Sequence, residues 1–276
     1  MLGKLIKYDL RSCFRKFGVL WLALAALGVL NGFTIRYVLQ SGHFNGFLTF
    51  LLGILPIILL GVLVTAIGIM ALVYICERFY KGLLGDEGYL MFTLPATTAE
   101  HIASKAIVAL ILEVISAVVA GLTAFLVMVV YNPSGTMDFL GRIGPALREI
   151  DFPRGTAWLV AELAVLALVT SVVGNLQIYQ AISLGHLAKK HRGAMALLAY
   201  VGINIAVSIL MTMTGNAALR HLSVDAMSFF FDEAGFHGSL GVGASALGAA
   251  LLWQLALGAV FFFGTKLILD KKLNLE

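Results

Sequence analysis

Charge is scarce in this sequence. Of its 276 residues only 12% are Asp, Glu, Lys or Arg, against about 25% in a typical soluble domain. Proline occurs five times and cysteine twice. So little charge beside so much apolar surface excludes a disordered chain. Cys13 and Cys76 lie far apart. They exclude a disulfide scaffold, offer no metal-ligand spacing, and read as reduced packing residues. Also missing are a G-x-x-x-x-G-K-[ST] phosphate loop, an H-E-x-x-H zinc pair and a G-x-S-x-G nucleophile elbow. The chain therefore offers no catalytic, cofactor-binding or metal motif of those kinds.

Apolar surface is what the sequence has. AVILMFWYC residues make up 60% and the mean hydropathy is +0.96. With the 29 glycines the apolar share reaches about 70%, against ~45–50% for a soluble domain counted the same way. A water-soluble fold of this length lacks the polar cover for it. The apolarity fills whole segments instead of alternating, so the expected class is an all-α integral membrane protein, not a barrel. A single transmembrane domain over 1–276 is expected. Its six spans fall at about 17–39, 47–74, 106–131, 157–183, 194–214 and 240–267, each near the ~20 apolar residues a crossing needs.

The net charge of +4 would suggest nucleic acid in a soluble protein; here the cations flank apolar runs. Lys4, Lys7, Arg11, Arg15, Lys16, Arg78, Lys81, Lys105, Lys189, Lys190, Arg192, Lys266, Lys271 and Lys272 fall on one side of the six-span topology. Only Arg36, Arg142, Arg148, Arg154 and Arg220 fall on the other. That asymmetry puts both termini in the cytoplasm and leaves the lipid bilayer, not nucleic acid, as the surrounding partner. Residues 1–16 form a basic amphipathic pattern. Leu2, Leu5, Ile6, Leu10, Cys13, Phe14 and Phe17 share one face, Lys4, Lys7, Arg11 and Arg15 the other, and Asp9 and Lys16 interrupt the apolar edge. The pattern suggests an interfacial helix that turns into the first span.

Small residues mark close helix approach. Gly28 and Gly32 form a GxxxG in the first span, and Gly241, Ser245 and Ala249 line one face of the sixth. Such faces serve packing within a chain or dimerisation, and the spacing admits both. Pro56 lies inside the second span, where it removes a backbone bond and favours a kink. Residues 132–156 read as a polar loop broken by Pro133, Pro145 and Pro153. In 215–239, Phe229, Phe230, Phe231 and Phe236 crowd beside Asp225, Asp232 and Glu233. Two readings fit: short re-entrant helices before the last span that form an outer gate, or an interfacial aromatic belt.

Two acids sit within spans and are functional-site candidates by default. Glu113 lies about 12 Å in from Lys105, and Glu162 about 8 Å in from Ala157, at 1.5 Å per residue. In a core ~30 Å thick they occupy different depths, and no Lys or Arg matches either. Each is a candidate lining residue of a water-filled cavity, as is Asn175. Gln177 and Gln180 add polarity beside Asn175 and read as partners for neighbouring helices.

The richest non-membrane stretch is 77–105, ERFYKGLLGDEGYLMFTLPATTAEHIASK. Gly82, Gly85 and Gly88 mark turns around Asp86 and Glu87. Tyr89, Leu90, Met91, Phe92 and Leu94 then present apolar surface outside any span, up to Pro95. Such a surface calls for a partner. Thr97 and Glu100 have capping-box spacing, which predicts a helix start there.

The run Asp86-Glu87-Gly88-Tyr89-Leu90, then Thr93-Leu94-Pro95 and Ser104-Lys105, resembles the cytoplasmic loop of bacterial type-2 ABC transporter permeases, in the branch common in Gram-positive bacteria. Ala96-Thr97 stand where Val-Ser is expected. The motif covers about twenty residues, and the topology agrees along the whole chain. The resemblance implies six spans, an N-terminal interfacial helix and a cytoplasmic coupling helix. That helix, here Gly85, Asp86, Glu87, Gly88, Tyr89, Leu90, Phe92, Leu94 and Pro95, would dock on separate ABC ATPase subunits that hold the ATP and Mg. It further implies export across the bacterial cell membrane by a dimer of this chain with itself or a relative, and no enzymatic chemistry here. His186 and His191 flank Lys189 and Lys190 and read as a solvated inner loop, with ATPase contact as the functional option. A different reading is a stand-alone secondary transporter or channel using Glu113 and Glu162, although no 3 + 3 repeat is evident. Peptide, bacteriocin, lipid and drug would all suit an apolar path.

Overall fold

A computed structural model describes residues 2–41, 47–85, 96–149, 156–188, 190–221 and 236–271. The described residues are helical almost throughout and contain no strand. Seven α-helices follow one another: α1 (Leu2–Ser41), α2 (Phe47–Phe79), α3 (Thr98–Tyr131), α4 (Pro133–Glu149), α5 (Thr156–His186), α6 (Arg192–His221) and α7 (Phe236–Lys271). A π-helical turn, Tyr80–Leu84, extends α2. All except α4 are long and apolar enough to cross a membrane. The chain is a multi-pass membrane protein, and helices follow because hydrocarbon leaves a backbone no partner but itself.

Two compact units divide the chain. One contains Gly3–Tyr74 and Ile111–Asp151; the other contains Ile75–Leu110 and Phe152–Glu276. The boundary therefore cuts through α2 and α3.

In the first unit, α1 runs unbroken through residues 16 and 17. At 1.5 Å per residue its 40 residues span about 60 Å, twice the ~30 Å hydrocarbon core. No break separates the N-terminal turns, expected to lie in the interface, from the first span. Burial keeps Cys13 and Phe17 of the expected face but shifts its edge. Asp9, Cys13, Phe17, Trp21, Leu24, Gly28 and Asn31 are buried at three- and four-residue spacing, whereas Phe14 is exposed. Asp9, expected to interrupt the apolar edge, is on the packed stripe.

Three contacts explain that stripe. Phe17 meets Trp21 and Tyr74, the latter edge-on at 5.5 Å between centroids. Lys16 Nζ stands 5.2 Å from the Tyr74 ring centroid, a cation–π contact. Trp21 Nε1 donates to Ser116 Oγ at 3.2 Å. Further along, Gly28 and Gly32 lie directly against α3. A Cβ at Gly28 would run into Thr123, and one at Gly32 would stand 2.6 Å from Val130 Cβ. Both glycines of the GxxxG thus pack within the chain. Pro56 sits inside α2 without ending it. Asn31, on α1, donates from Nδ2 to the Pro56 carbonyl at 2.8 Å and to Leu27 O at 3.1 Å, so a buried amide ties α1 to the proline turn of α2.

In the second unit, α5 packs along α7 and α6. The α5–α7 seam is parallel. Glu162 faces Gly248, Val173 faces Gly258, and Gln180 faces Gly264. Gly248, Gly258 and Gly264 of α7 meet α5; of the small residues expected to line it, Ala249 is exposed, and the burial of Gly241 and Ser245 lies outside what is described. Gly185 of α5 abuts the backbone of Ala196 in α6 so closely that a Cβ has no room. The stretch 132–156, expected to be a broken polar loop, contains α4, with Pro145 inside it.

A matched pair of substitutions separates packing from helix propensity. Gly32→Ala should destabilise the protein by about 1–3 kcal/mol through overpacking against Val130. Gly61→Ala, where a Cβ meets open space, should be neutral or stabilise by about 0.5–1 kcal/mol. Thermal unfolding in detergent reads both.

Candidate functional site

The strongest sequence candidate is the segment after α2. Of its proposed docking residues, Gly85 is described; Asp86, Glu87, Gly88, Tyr89, Leu90, Phe92, Leu94 and Pro95 lie outside the described residues. The structure does define both flanks, and all of it belongs to the second unit.

On the entering flank, α2 widens into the π turn. Its backbone closes with Gly85 N donating to Tyr80 O at 2.9 Å. Gly85 itself is extended. Phe79 stacks face to face on Tyr179 of α5, with centroids 4.2 Å apart and 6° between planes. Tyr80 meets His186 of α5 edge-on. On the outer side of this turn Glu77 and Lys81 form an ion pair at 2.5 Å; both side chains are largely exposed, so it adds little stability. Leu83 and Leu84 are buried.

On the leaving flank, Thr97 and Glu100 make the expected capping box. Thr97 N donates to Glu100 Oε2 at 2.9 Å, and Glu100 N donates to Thr97 Oγ1 at 3.3 Å. Two otherwise unpaired amide groups of α3 are satisfied reciprocally. The threonine standing where serine is expected retains the hydroxyl this requires. One residue later, Thr98 Oγ1 donates to Asp270 Oδ1 at 2.6 Å, tying the start of α3 to the end of α7.

Between the flanks is a buried polar group that sequence reading missed. His101, Ser104 and Lys105 are each at most 3% exposed. Ser104 donates to the His101 carbonyl at 2.9 Å. The Lys105 side chain lies over Gly82 of the π turn, 3.6 Å from where a Cβ would stand. His101 and Lys105 each interact with another residue. From the sequence alone Lys105 reads as a topology cation and Gly82 as a turn residue. The available signal was the i, i+3, i+4 spacing of His101, Ser104 and Lys105, which puts three polar groups on one helix face.

The membrane acids belong to different units. Glu113 belongs to the first unit, Glu162 and Asn175 to the second. Glu113 is half-buried and has a partner. Asn175 is buried and also has one. Glu162 is half-buried; its Oε1 faces Gly248, and its buried Oε2 has no hydrogen-bond partner among the described residues. The same holds for Gln177 Nε2 and for Gln180 Oε1, whose amide faces Gly264. An apolar hollow of about 370 Å³ opens between α3, α5 and α7, lined by residues including Leu110, Val172, Leu176, Leu255, Gly258 and Phe262. None of the three expected cavity residues lines it. Phe229, Phe230 and Phe231, expected as an outer gate, lie outside the described residues. Among the described residues no cluster of His, Cys, Asp and Glu has the geometry to hold a metal.

No protein-family model, curated protein or solved structure matches the chain.

Removing the cap tests how firmly the leaving flank is held. Thr97→Ala should cost about 1 kcal/mol. Amide exchange across 98–101 should quicken roughly fivefold by the same energy, while exchange at the far end of α3 stays unchanged.

Proposed function

We propose that this chain is the membrane-spanning subunit of an ATP-driven exporter of the type-2 ABC permease class. Two copies, or this chain and a relative, form the substrate path in the bacterial cell membrane with their termini in the cytoplasm. Separate ATPase subunits carry ATP and Mg and dock on the segment around 85–95. This chain transmits force and performs no covalent chemistry.

One observation carries the reading. Each flank of the docking segment is fastened to a helix further along the chain: the π turn to α5 through Phe79 and Tyr179, and the head of α3 to α7 through Thr98 and Asp270. A push on 86–95 would reach α5 and α7 through a stacked aromatic pair and a hydroxyl–carboxylate bond. Buried groups on the two flanks, Leu83, His101 and Lys105, leave little slack to absorb the motion. A loop that only connected two spans would need none of this fastening.

The test is what the chain brings with it. Purified in mild detergent, it should carry an ATPase with a phosphate-loop motif, and the complex in vesicles should hydrolyse ATP in step with transport. Asp86→Ala with Glu87→Ala should weaken ATPase binding by about tenfold or more, as loss of an interface hot spot does. A chain that purifies alone and transports without ATP overturns the proposal.

A secondary transporter is favoured by one feature, the unpartnered carboxylate oxygen of Glu162. On that reading Glu162→Gln abolishes transport driven by a pH gradient without ATP; on the permease reading no such transport exists in the parent chain.

A further inference from the structure

The helix α4 joins two membrane spans, yet it is amphipathic. At 100° per residue Phe139, Leu140 and Ile143 share one face, and Ser134, Asp138 and Arg142 fall on the other. Phe139 is 53% exposed and Leu140 43%, and Ile143 is half-buried, so the described residues leave much of the apolar face uncovered. Asp138 and Arg142 are exposed as well. A helix this apolar on one side is costly in water.

Its attachment to α3 is built with care for direction. Asn132 is the single residue between the two helices. Its Oδ1 accepts from Gly135 N at 3.0 Å and from Ser134 Oγ at 3.2 Å, capping α4. A Cβ at Gly135 would collide with that amide, so the cap requires glycine there. Thr136, 1% exposed, donates from Oγ1 to Asn132 O at 2.7 Å and also reaches Met128 O at 3.1 Å. In a continuous helix a threonine hydroxyl reaches the carbonyl four residues back; the carbonyl eight back is about 6 Å further along the axis. Contact with Met128 is possible only because the chain turns sharply at Asn132. The bend takes α4 off the axis of α3 instead of carrying it into water.

That corner sits where a span ends. α3 stops at Tyr131, which is exposed in the manner of an interfacial aromatic, and the chain begins its next span at Ala157. Leu122, Phe125 and Met128 of α3 are exposed up to the corner.

We propose that α4 lies in the headgroup–acyl boundary of the bilayer, at the membrane face where α3 ends. Phe139, Leu140 and Ile143 enter the acyl region, and Asp138 and Arg142 face headgroups and water. The Asn132–Gly135–Thr136 corner sets that orientation. The proposal rests on the membrane fold alone, so it stands or falls independently of the permease reading.

Single nitroxide labels at 138, 139, 140, 142 and 143 test it, in the full chain with Cys13→Ala and Cys76→Ala, reconstituted in phosphatidylcholine–phosphatidylglycerol vesicles. The ratio of oxygen to nickel-chelate collisions should be several-fold higher at 139, 140 and 143 than at 138 and 142. Free nickel access at all five positions would mean a helix in water and overturns the proposal. Low access of both reagents at 139, 140 and 143 would mean a face covered by protein, such as a second copy, and overturns it too. A second measurement keeps the native cysteines. In vesicles of shallow-brominated lipid, the added fluorescence of Phe139→Trp should be quenched several-fold more than that of Arg142→Trp; equal quenching overturns the proposal.

Discussion

Inside hydrocarbon a helix gains nothing by leaving solvent, because lipid tails are as apolar as its own side chains. Association then depends on how closely two backbones approach. That constraint runs through every well-packed seam here. Gly28 and Gly32 admit α3, Gly185 admits the backbone of α6, and Gly258 and Gly264 admit α5. Each removes the one atom that would hold the helices apart, and dispersion between the close surfaces does the rest. The polar links follow from the same closeness. Asn31 reaches the carbonyl of Pro56 and Trp21 reaches Ser116 because their helices already touch.

Helix ends obey a different rule, since terminal amides and carbonyls have no partner within the helix. The chain closes them with short side chains. Thr97 and Glu100 close the start of α3, and Asn132 and Thr136 turn its other end into the start of α4. A cap that only satisfied hydrogen bonds would suffice for stability. Here each cap also fixes a direction: at residue 97 toward α7, by way of the neighbouring Thr98, and at residue 132 away from the axis of the span. The functional proposals lie at these two ends because a membrane helix meets its partners there.

The class of fold, the six spans and the capping box at Thr97 were legible because each depends on local pattern: uniform apolarity, span length, and a threonine three residues before a glutamate. The edge of the packed face of α1 was not, although Cys13 and Phe17 are buried as the wheel places them. An apolar wheel put Phe14 in and left Asp9 at the edge, while the fold buries Asp9 and exposes Phe14. Where the surroundings are lipid, apolarity no longer distinguishes the packed face from the free one. The prolines of 132–156 misled for a related reason. Pro133 sits at the first position of α4, where its missing N–H costs nothing, and a helix was read as a broken loop.

Composition and charge order therefore determined what this protein is: an all-helical, multi-pass membrane chain, as the scarcity of charge and the length of the apolar runs require. Only tertiary structure decided which residues meet. It put Lys105 beneath the π turn instead of in water, divided Glu113 and Glu162 between two units, and gave the GxxxG to α3 instead of leaving it to a second chain. The physical reason is range. Hydropathy and helix signals are properties of neighbours in sequence, whereas a close approach depends on the absence of an atom on a helix far away in the chain, which no local pattern records.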